Sequence, residues 1–401
     1  MMRKIRTILL LLLIILDLAF LSGCWDLREI NEIGLVTAVG IDKAESPNRY
    51  SVTVQMANPS TDNSSDSKGS AKSTVWIGTG EGASLFDATR NLVEISSRRI
   101  MWAHNNVIVV GESMAKEGII PIVDYFTHNP ELRMKTAVVV ANGNAKDYIA
   151  AKAGMETPSG VSFILMEGYR SLTAESVESH MLQVSAALKN EYSNPLITGI
   201  SLKKATMQSG DGDSNEKSSE TIDLSGAAVF KKDKMLGWLS PKETLGVAWI
   251  LNQTHNTVVT VTDPEHGNKS VSVETSGVKA KIKSAVINGI PSISINIKGN
   301  GDIVEEDGST SQSMGDIKVH VADLINKKIE DEIKNSLEVV QKKYMVDCLG
   351  FAAIAHVQND REWQSGLKDK WQEIFPQIPV TVSVDINIKS STLNQEPMKV
   401  Y

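Results

Sequence analysis

Residues 107–153 read VIVVGESMAKEGIIPIVDYFTHNPELRMKTAVVVANGNAKDYIAAKA, and this stretch decides the fold class. Val107–Val110 and Ala137–Val140 are short, unbroken apolar runs rich in β-branched side chains. Runs of that length predict strands buried on both faces. Between them Met114 to Phe126 predicts helix, interrupted or restarted at Pro121, whose ring disfavours a helix interior. Ala145 to Ala153 predicts another helix. Strands alternating with helices argue for an α/β or α+β first domain.

Working toward the N-terminus, Thr74 to Ile77 predicts a short strand. Gly78, Gly80 and Gly82 read as a turn after it. A helix over Ser84 to Ser97 follows, with Ser84 and Asp87 as a capping pair and Leu85, Ala88, Leu92 and Ile95 on one face. Tyr50, Val52, Val54 and Met56 alternate with Ser51, Thr53 and Gln55, a half-buried strand. Gly34 to Ile41 is an apolar strand, joined to it through Asp42 to Arg49.

Toward the C-terminus, Val177, Met181, Val184 and Leu188 keep a 4-3-4 spacing that predicts one long helix from about Glu175 to Asn190. The chain then turns β-rich: Ala227–Phe230, Leu236–Leu239, Val258–Val261, Val271–Val273, Val278–Ile282 and Ile293–Ile297 all read as strands. Asn288-Gly289 is a tight-turn signal between two of them. Val321, Leu324, Ile325, Ile329, Ile333, Leu337 and Val340 trace one face of a helix over Asp316 to Tyr344, a stripe wide enough to pack on a sheet. Helices around Asp347–Val357 and Arg361–Ile374 precede a closing strand with Val380, Val382, Val384, Ile386 and Ile388 on one side. Ala57–Ser73 and Gln208–Thr221 lack large apolar residues and read as surface loops.

The expected class is α+β, with three sequential mixed sheet-plus-helix domains behind an N-terminal signal. The signal takes residues 1–23. An N-terminal α/β-type region takes 24–205, with the long helix near 175–190. A β-rich middle domain takes 222–300. A helix-rich α+β region takes 301–401, either separate or joined with 222–300 in one domain.

The first residues carry a second message. Arg3, Lys4 and Arg6 precede an apolar run from Ile8 to Ile15, continued by Leu18 to Leu21. The run is roughly 14 residues, short of the about 20 that span a bilayer. It ends in Leu21-Ser22-Gly23-Cys24, the layout of a secretory signal, and the cysteine after small residues resembles the lipobox of bacterial lipoproteins. That resemblance implies cleavage between Gly23 and Cys24, a thioether-linked diacylglycerol on Cys24 and acylation of its new amino group. Two or three acyl chains anchor stably where one is marginal. Asp17 departs from the usual apolar region. Without residues 1–23, which hold three basic residues and one acid, the net charge falls from −7 to −9. An acidic exported body is a poor match for nucleic acid, which is held by clustered Lys and Arg. Only two cysteines occur. With Cys24 acylated, Cys348 has no partner and reads as a small buried hydrophobe.

Motifs for chemistry are missing. Gly78-Thr79-Gly80-Glu81-Gly82 opens a helix, as phosphate sites do. Its spacing is G-x-G-x-G, and Glu81 puts negative charge where a phosphate would sit. There is no H-E-x-x-H, no C-x-x-C and no G-x-S-x-G. His104 and His356 stand alone, and Glu305-Glu306 reads as a solvated turn. No catalytic, cofactor-binding or metal-ligating residue emerges, and no cofactor is expected.

Cys24-Trp25-Asp26-Leu27-Arg28-Glu29-Ile30, running into Val39-Gly40-Ile41-Asp42, resembles the start of the Ger(x)C family, the C subunits of spore nutrient germinant receptors. Further blocks follow in order: Gly80-Glu81-Gly82, Trp102-Ala103-His104, Asn129-Pro130-Glu131-Leu132-Arg133, Gly226-Ala227-Ala228-Val229-Phe230 with Asp233-Lys234, Asp347-Cys348-Leu349-Gly350-Phe351, and Trp371 with Phe375-Pro376. Two departures are His128-Asn129, where the family usually has Arg-Asp, and Cys348. The resemblance implies a noncatalytic three-domain α+β protein, lipid-anchored on the outer face of the cytoplasmic membrane (the inner spore membrane). It would assemble with a transporter-like B subunit and a membrane-associated A subunit that respond to nutrients. Contact of this subunit with the nutrient stays open. One alternative is a lipoprotein solute-binding protein of a nutrient importer, which predicts two α/β lobes around a cleft. Another, a lipid-anchored wall hydrolase, needs a paired-carboxylate or metal site.

Overall fold

The computed structural model describes residues 2–20, 32–57, 75–151, 159–206, 218–264, 268–287, 289–306 and 314–391. Helix α1 (Met2–Phe20) carries the basic start and apolar run. A nine-stranded sheet follows, built from β1 (Ile33–Lys43), β2 (Tyr50–Ala57), β3 (Val75–Gly82), β4 (Arg99–Met101), β5 (Val107–Gly111), β6 (Ala137–Ala141), β7 (Leu196–Thr206), β8 (Ser218–Lys231) and β9 (Lys234–Leu239). The order is β3-β2-β1-β5-β6-β7-β8-β9, with β4 beside the start of β1. The middle strands β1, β5, β6 and β7 are parallel. The flanking pairs are antiparallel.

Parallel strands need cover on both sides, and β5 and β6 are buried along their whole length. One face of the sheet, with Ile108, Val110, Val138 and Val140, packs under α2 (Leu85–Ser96), α3 (Glu112–Glu117) and α4 (Ile120–Thr127). The other face, with Val107, Val109, Ala137 and Val139, packs under α5 (Ala145–Ala150) and Phe163 of α6 (Ser159–Gly168). The short α7 (Arg170–Thr173) and α8 (Met181–Lys189) follow, and Met181 and Val184 join the first face.

After α9 (Pro241–Ile250), a four-stranded sheet runs β10 (Val258–Asp263), β11 (Lys269–Ile287), β12 (Ile290–Glu306) and β13 (Val380–Ser391). Its last pair is parallel. The long α10 (Met314–Glu338) ends in a wide π-type stretch, Val339–Tyr344. Val321, Ile325, Ile329, Ile333, Leu337 and Val340 are buried in the core this sheet shares with α9, as the stripe predicts. Then come α11 (Phe351–Gln358), α12 (Asp360–Glu362) and α13 (Lys368–Ile374). Ala227, Val229 and Leu239 of the first sheet join the same core, so the two sheets are packed into one body.

The α+β class is as expected, and several local readings change. The predicted helix at Met114–Phe126 is two helices. The break falls at Gly118, whose φ of 143° suits glycine, while Pro121 sits in the first turn of α4, where its missing N–H is harmless. Val271–Val273 and Val278–Ile282 are parts of the single strand β11, and Gly289, at φ 79°, turns it into β12. Glu305 belongs to that strand, opposite Ser272. Residues 218–221, read as loop, begin β8; residues 58–73 and 208–217 of the two polar stretches lie outside the described residues. The long helix over Glu175–Asn190 is only α8. Strands β6 and β7 pair at just Val140–Gly199 and Ala141–Ile200, and residues 175–179 bond into the gap beside them. The Val138 N–H donates to the Ser179 carbonyl (2.7 Å), the Ser179 hydroxyl returns a bond to the Val138 carbonyl (2.7 Å), and the Gly226 N–H donates to the Glu175 carbonyl (2.7 Å). Val177 is buried from this non-helical stretch, so its helical spacing is coincidental.

The glycine run is also not a turn. Gly78, Gly80 and Gly82 alternate along β3. A Cβ on Gly80 would lie 2.5 Å from the Ala88 carbonyl oxygen and 2.9 Å from the Leu92 nitrogen. The missing side chains let α2 lie directly on the strand, with Ser84 as its N-cap, accepting from the Asp87 N–H at 3.1 Å. Ile95, expected inward, is exposed, and Ser96 is buried in its place. Gly80→Ala is expected to cost about 1–3 kcal/mol, the range for overpacking a tight contact, measured by chemical denaturation of the protein.

Candidate functional site

Gly23 and Cys24 lie outside the described residues, as do Trp25 to Ile30. Among the described residues no helix is long and apolar enough to cross a membrane. Among them, too, no group of three or more His, Cys, Asp and Glu is placed to hold a metal.

Several blocks that carry the resemblance do structural work through carboxylates that accept backbone N–H groups. Asp42, at the end of Val39-Gly40-Ile41-Asp42, accepts from the N–H groups of Ala145 (2.7 Å) and Lys146 (2.9 Å) and so caps α5. Burial pushes its pKa up, against the pull of those two donors. Glu131 accepts the Trp102 N–H at 3.1 Å, tying the Asn129–Arg133 block to the Trp102–His104 block.

Asp347 is the most enclosed. Its carboxylate takes the N–H groups of Leu349 (3.1 Å), Phe351 (3.2 Å) and Ala352 (2.6 Å) at the start of α11, and the indole N–H of Trp371 (3.1 Å). Burial raises its pKa, and the four bonds oppose that rise. All four partners are donors, which fits the ionised form. The Asp347 carbonyl accepts from both the backbone and the side-chain amide of Asn194, and the Asn194 Oδ1 accepts the Lys232 N–H at 2.8 Å. Cys348 beside it is buried and its thiol is pushed up to about 12, which fits the expected inert packing residue.

A charged cluster links α6, α8 and the end of α9. His180 lies between Glu167 (2.9 Å) and Glu178 (3.0 Å). The Gln253 Oε1 accepts from the Glu178 N–H at 2.8 Å and the Arg170 guanidinium at 3.3 Å. The hydrogen bond that the His180 ring donates to Glu167 is the main cause that raises the His180 pKa. Glu167 is pushed up by burial, but the hydrogen bond and charge of His180 bring it below its usual value.

One open surface feature is a groove of about 600 Å³ between α2 and the turn after α4. Ile100 and Trp102 form its buried floor. Phe86, Arg90 and Val93 line one side, at helical positions i, i+4 and i+7; Tyr125, Pro130 and Glu131 line the other. Phe86 is 58% exposed, with the Arg90 guanidinium 4.9 Å from its ring centre. Trp102 and Phe126 stack edge to face at 5.3 Å beneath. Sequence reasoning used the inward stripe of α2 and missed this second one, although the i, i+4, i+7 spacing was readable.

Two family profiles match the chain: the spore germination protein N-terminal domain over residues 26–202, and the spore germination B3/GerAC-like C-terminal domain over residues 225–392. Spore germination protein KC of Bacillus subtilis (strain 168) is 26% identical over 410 residues, covering 98% of each chain. Spore germination protein B3 of the same organism is 25% identical over 379 residues, covering 92% of this chain and 94% of its own. The crystal structure of the GerBC protein shares the fold, with a TM-score of 0.55 at 22% identity, over 88% of this chain and 96% of that one. The protein belongs to the Ger(x)C family of spore germination proteins.

Two outcomes follow for stability. Asp347→Ala leaves three N–H groups and an indole N–H without their acceptor; at about 1–3 kcal/mol per buried unpaired group, a loss of at least about 4 kcal/mol is expected in denaturant titration. The His180 contribution is fully present below its unfolded pKa near 6.5. It is lost as pH rises through the higher folded value. The stability difference between wild type and His180→Gln should therefore shrink from pH 6 to pH 9; a constant difference refutes the ion-pair reading.

Proposed function

We propose that this chain is a noncatalytic, lipid-anchored subunit of a spore nutrient germinant receptor. It is tethered through acylated Cys24 on the outer face of the inner spore membrane and assembled with the A and B subunits. The observation that carries this reading is the sequence itself: Leu21-Ser22-Gly23-Cys24 stands directly before a body matched by germination-family profiles over both halves. Nothing in the described geometry demands chemistry. The buried carboxylates Asp42 and Asp347 spend lone pairs on backbone N–H groups. A tether adds affinity by holding the body at high local concentration beside membrane partners.

Cys24→Ala is expected to move the protein out of the spore membrane fraction at least tenfold and to slow the response to nutrients. Unchanged fractionation refutes the anchor. Mass spectrometry of the wild-type N-terminus should show a mature chain beginning at an acylated Cys24.

A further inference from the structure

The groove between α2 and the turn after α4 has three properties that bear on what it holds. Aromatic and aliphatic side chains share its lining with polar ones, and among the described residues Phe86 and Val93 stay exposed, at 58% and 39%. Two guanidinium groups stand at its rim. Arg90 lies over the Phe86 ring, and Arg99 sits 3.6 Å from Glu131 in a half-exposed ion pair, the kind that contributes little and is readily exchanged for another carboxylate. On a body with net negative charge, these cations favour an acidic visitor.

The third property is position. The groove floor includes β4, which pairs with the first residues of β1, Ile33 opposite Arg99 and Leu35 opposite Met101. Ile33 is nine residues after Cys24. At about 3.3–3.6 Å per residue, that link reaches at most about 30 Å. The β4 edge of the groove would therefore stay within about 30 Å of the anchor. This step rests on the anchor proposed above.

We infer that this groove docks an acidic segment, bearing an aromatic or large aliphatic side chain, from the extracytoplasmic surface of an integral-membrane partner. The apolar side chain would sit over Ile100 and Trp102 between Phe86 and Tyr125. Its carboxylates would meet Arg90 and Arg99. Bidentate pairing of carboxylates with guanidinium gives such a contact direction as well as attraction. Apolar anchors in a pocket with a charged rim are the usual form of a protein hot spot.

The test uses the full lipidated chain in spores, with a photo-crosslinking phenylalanine analogue at Phe86 and, as control, at exposed Val357 of α11. The expected result is a crosslink from position 86, mapped by mass spectrometry to an acidic extracytoplasmic segment of a multi-spanning protein. It should fall at least tenfold in Arg90→Glu/Arg99→Glu and not form from position 357. A crosslink to phospholipid, to a second copy of this chain or to a soluble protein overturns the inference. So does an equal yield from both positions, no crosslink at 86, or a yield unmoved by the charge reversal. Arg90→Lys/Arg99→Lys, which keeps the charge, should retain most of the yield; its loss there as well would show that the double reversal acts through folding and would overturn the electrostatic part. Fractionation of the same spores reads the anchor separately. A soluble chain refutes the tether, whereas a membrane-bound chain without the crosslink refutes only the groove.

Discussion

One buried aspartate ties the halves of this protein together, its carboxylate fixing the C-terminal side and its carbonyl reaching Asn194. Asp347 is enclosed among Phe351, Trp371 and Phe375, where an unpaired charge would be prohibitive. It is held by the N–H groups of Leu349, Phe351 and Ala352 at a helix start, where the helix dipole also favours negative charge, and by one indole. Its own carbonyl is taken twice by Asn194, and Asn194 in turn receives the Lys232 N–H from the β8–β9 turn. The approach to β7, that turn and the packing of α11 on α13 are therefore fixed by one short stretch of backbone. Removing any member leaves buried polar groups without partners, which is why the arrangement resists partial change.

The second constraint is the parallel centre of the large sheet. Strands buried on both faces need helices above and below, and the chain supplies them at close range. Gly80 and Gly82 remove side chains where α2 approaches, and on the opposite face a Cβ on Gly40 would lie 2.9 Å from Ile149 of α5. The small residues that resembled a phosphate loop are thus a packing device. Glu81 points to the same conclusion, since its side chain faces outward near Asn48 rather than crowding a ligand.

Much of this was readable because hydrophobic period and burial agree in the central strands and in α10. Val107–Val110 and Ala137–Val140 have no polar alternation and proved buried throughout. The α10 stripe from Val321 to Val340 matched its buried face, with Leu324 only partly covered. Reading failed where non-local bonds outweighed local pattern. Residues 175–179 have helical spacing, but the gap beside β6 offered hydrogen bonds that a helix there could not fill. Gly118 ended a helix one turn before the more conspicuous Pro121. The candidate site divides in the same way. The anchor proposed at Cys24 rests on a local, linear signal. The Asp347 network joins residues far apart in sequence, and the groove needs the side chains of α2 and of the turn after α4 to be brought together.

The two kinds of site ask different things of the chain. A catalytic centre needs groups held within fractions of an ångström, with pKa values matched to proton transfer. The carboxylates of Asp42 and Asp347 are instead engaged by backbone N–H groups at helix starts. A docking subunit needs a rigid body, a tether and an uncovered patch of suitable character. The carboxylate network supplies the first and the patch on α2 the third. With the anchor at Cys24, as proposed, the short link to Ile33 would supply the second and restrict the patch to partners at the membrane. A weak contact of two guanidinium groups and a few apolar side chains then suffices, because the tether has already met most of the entropic cost of bringing the partners together.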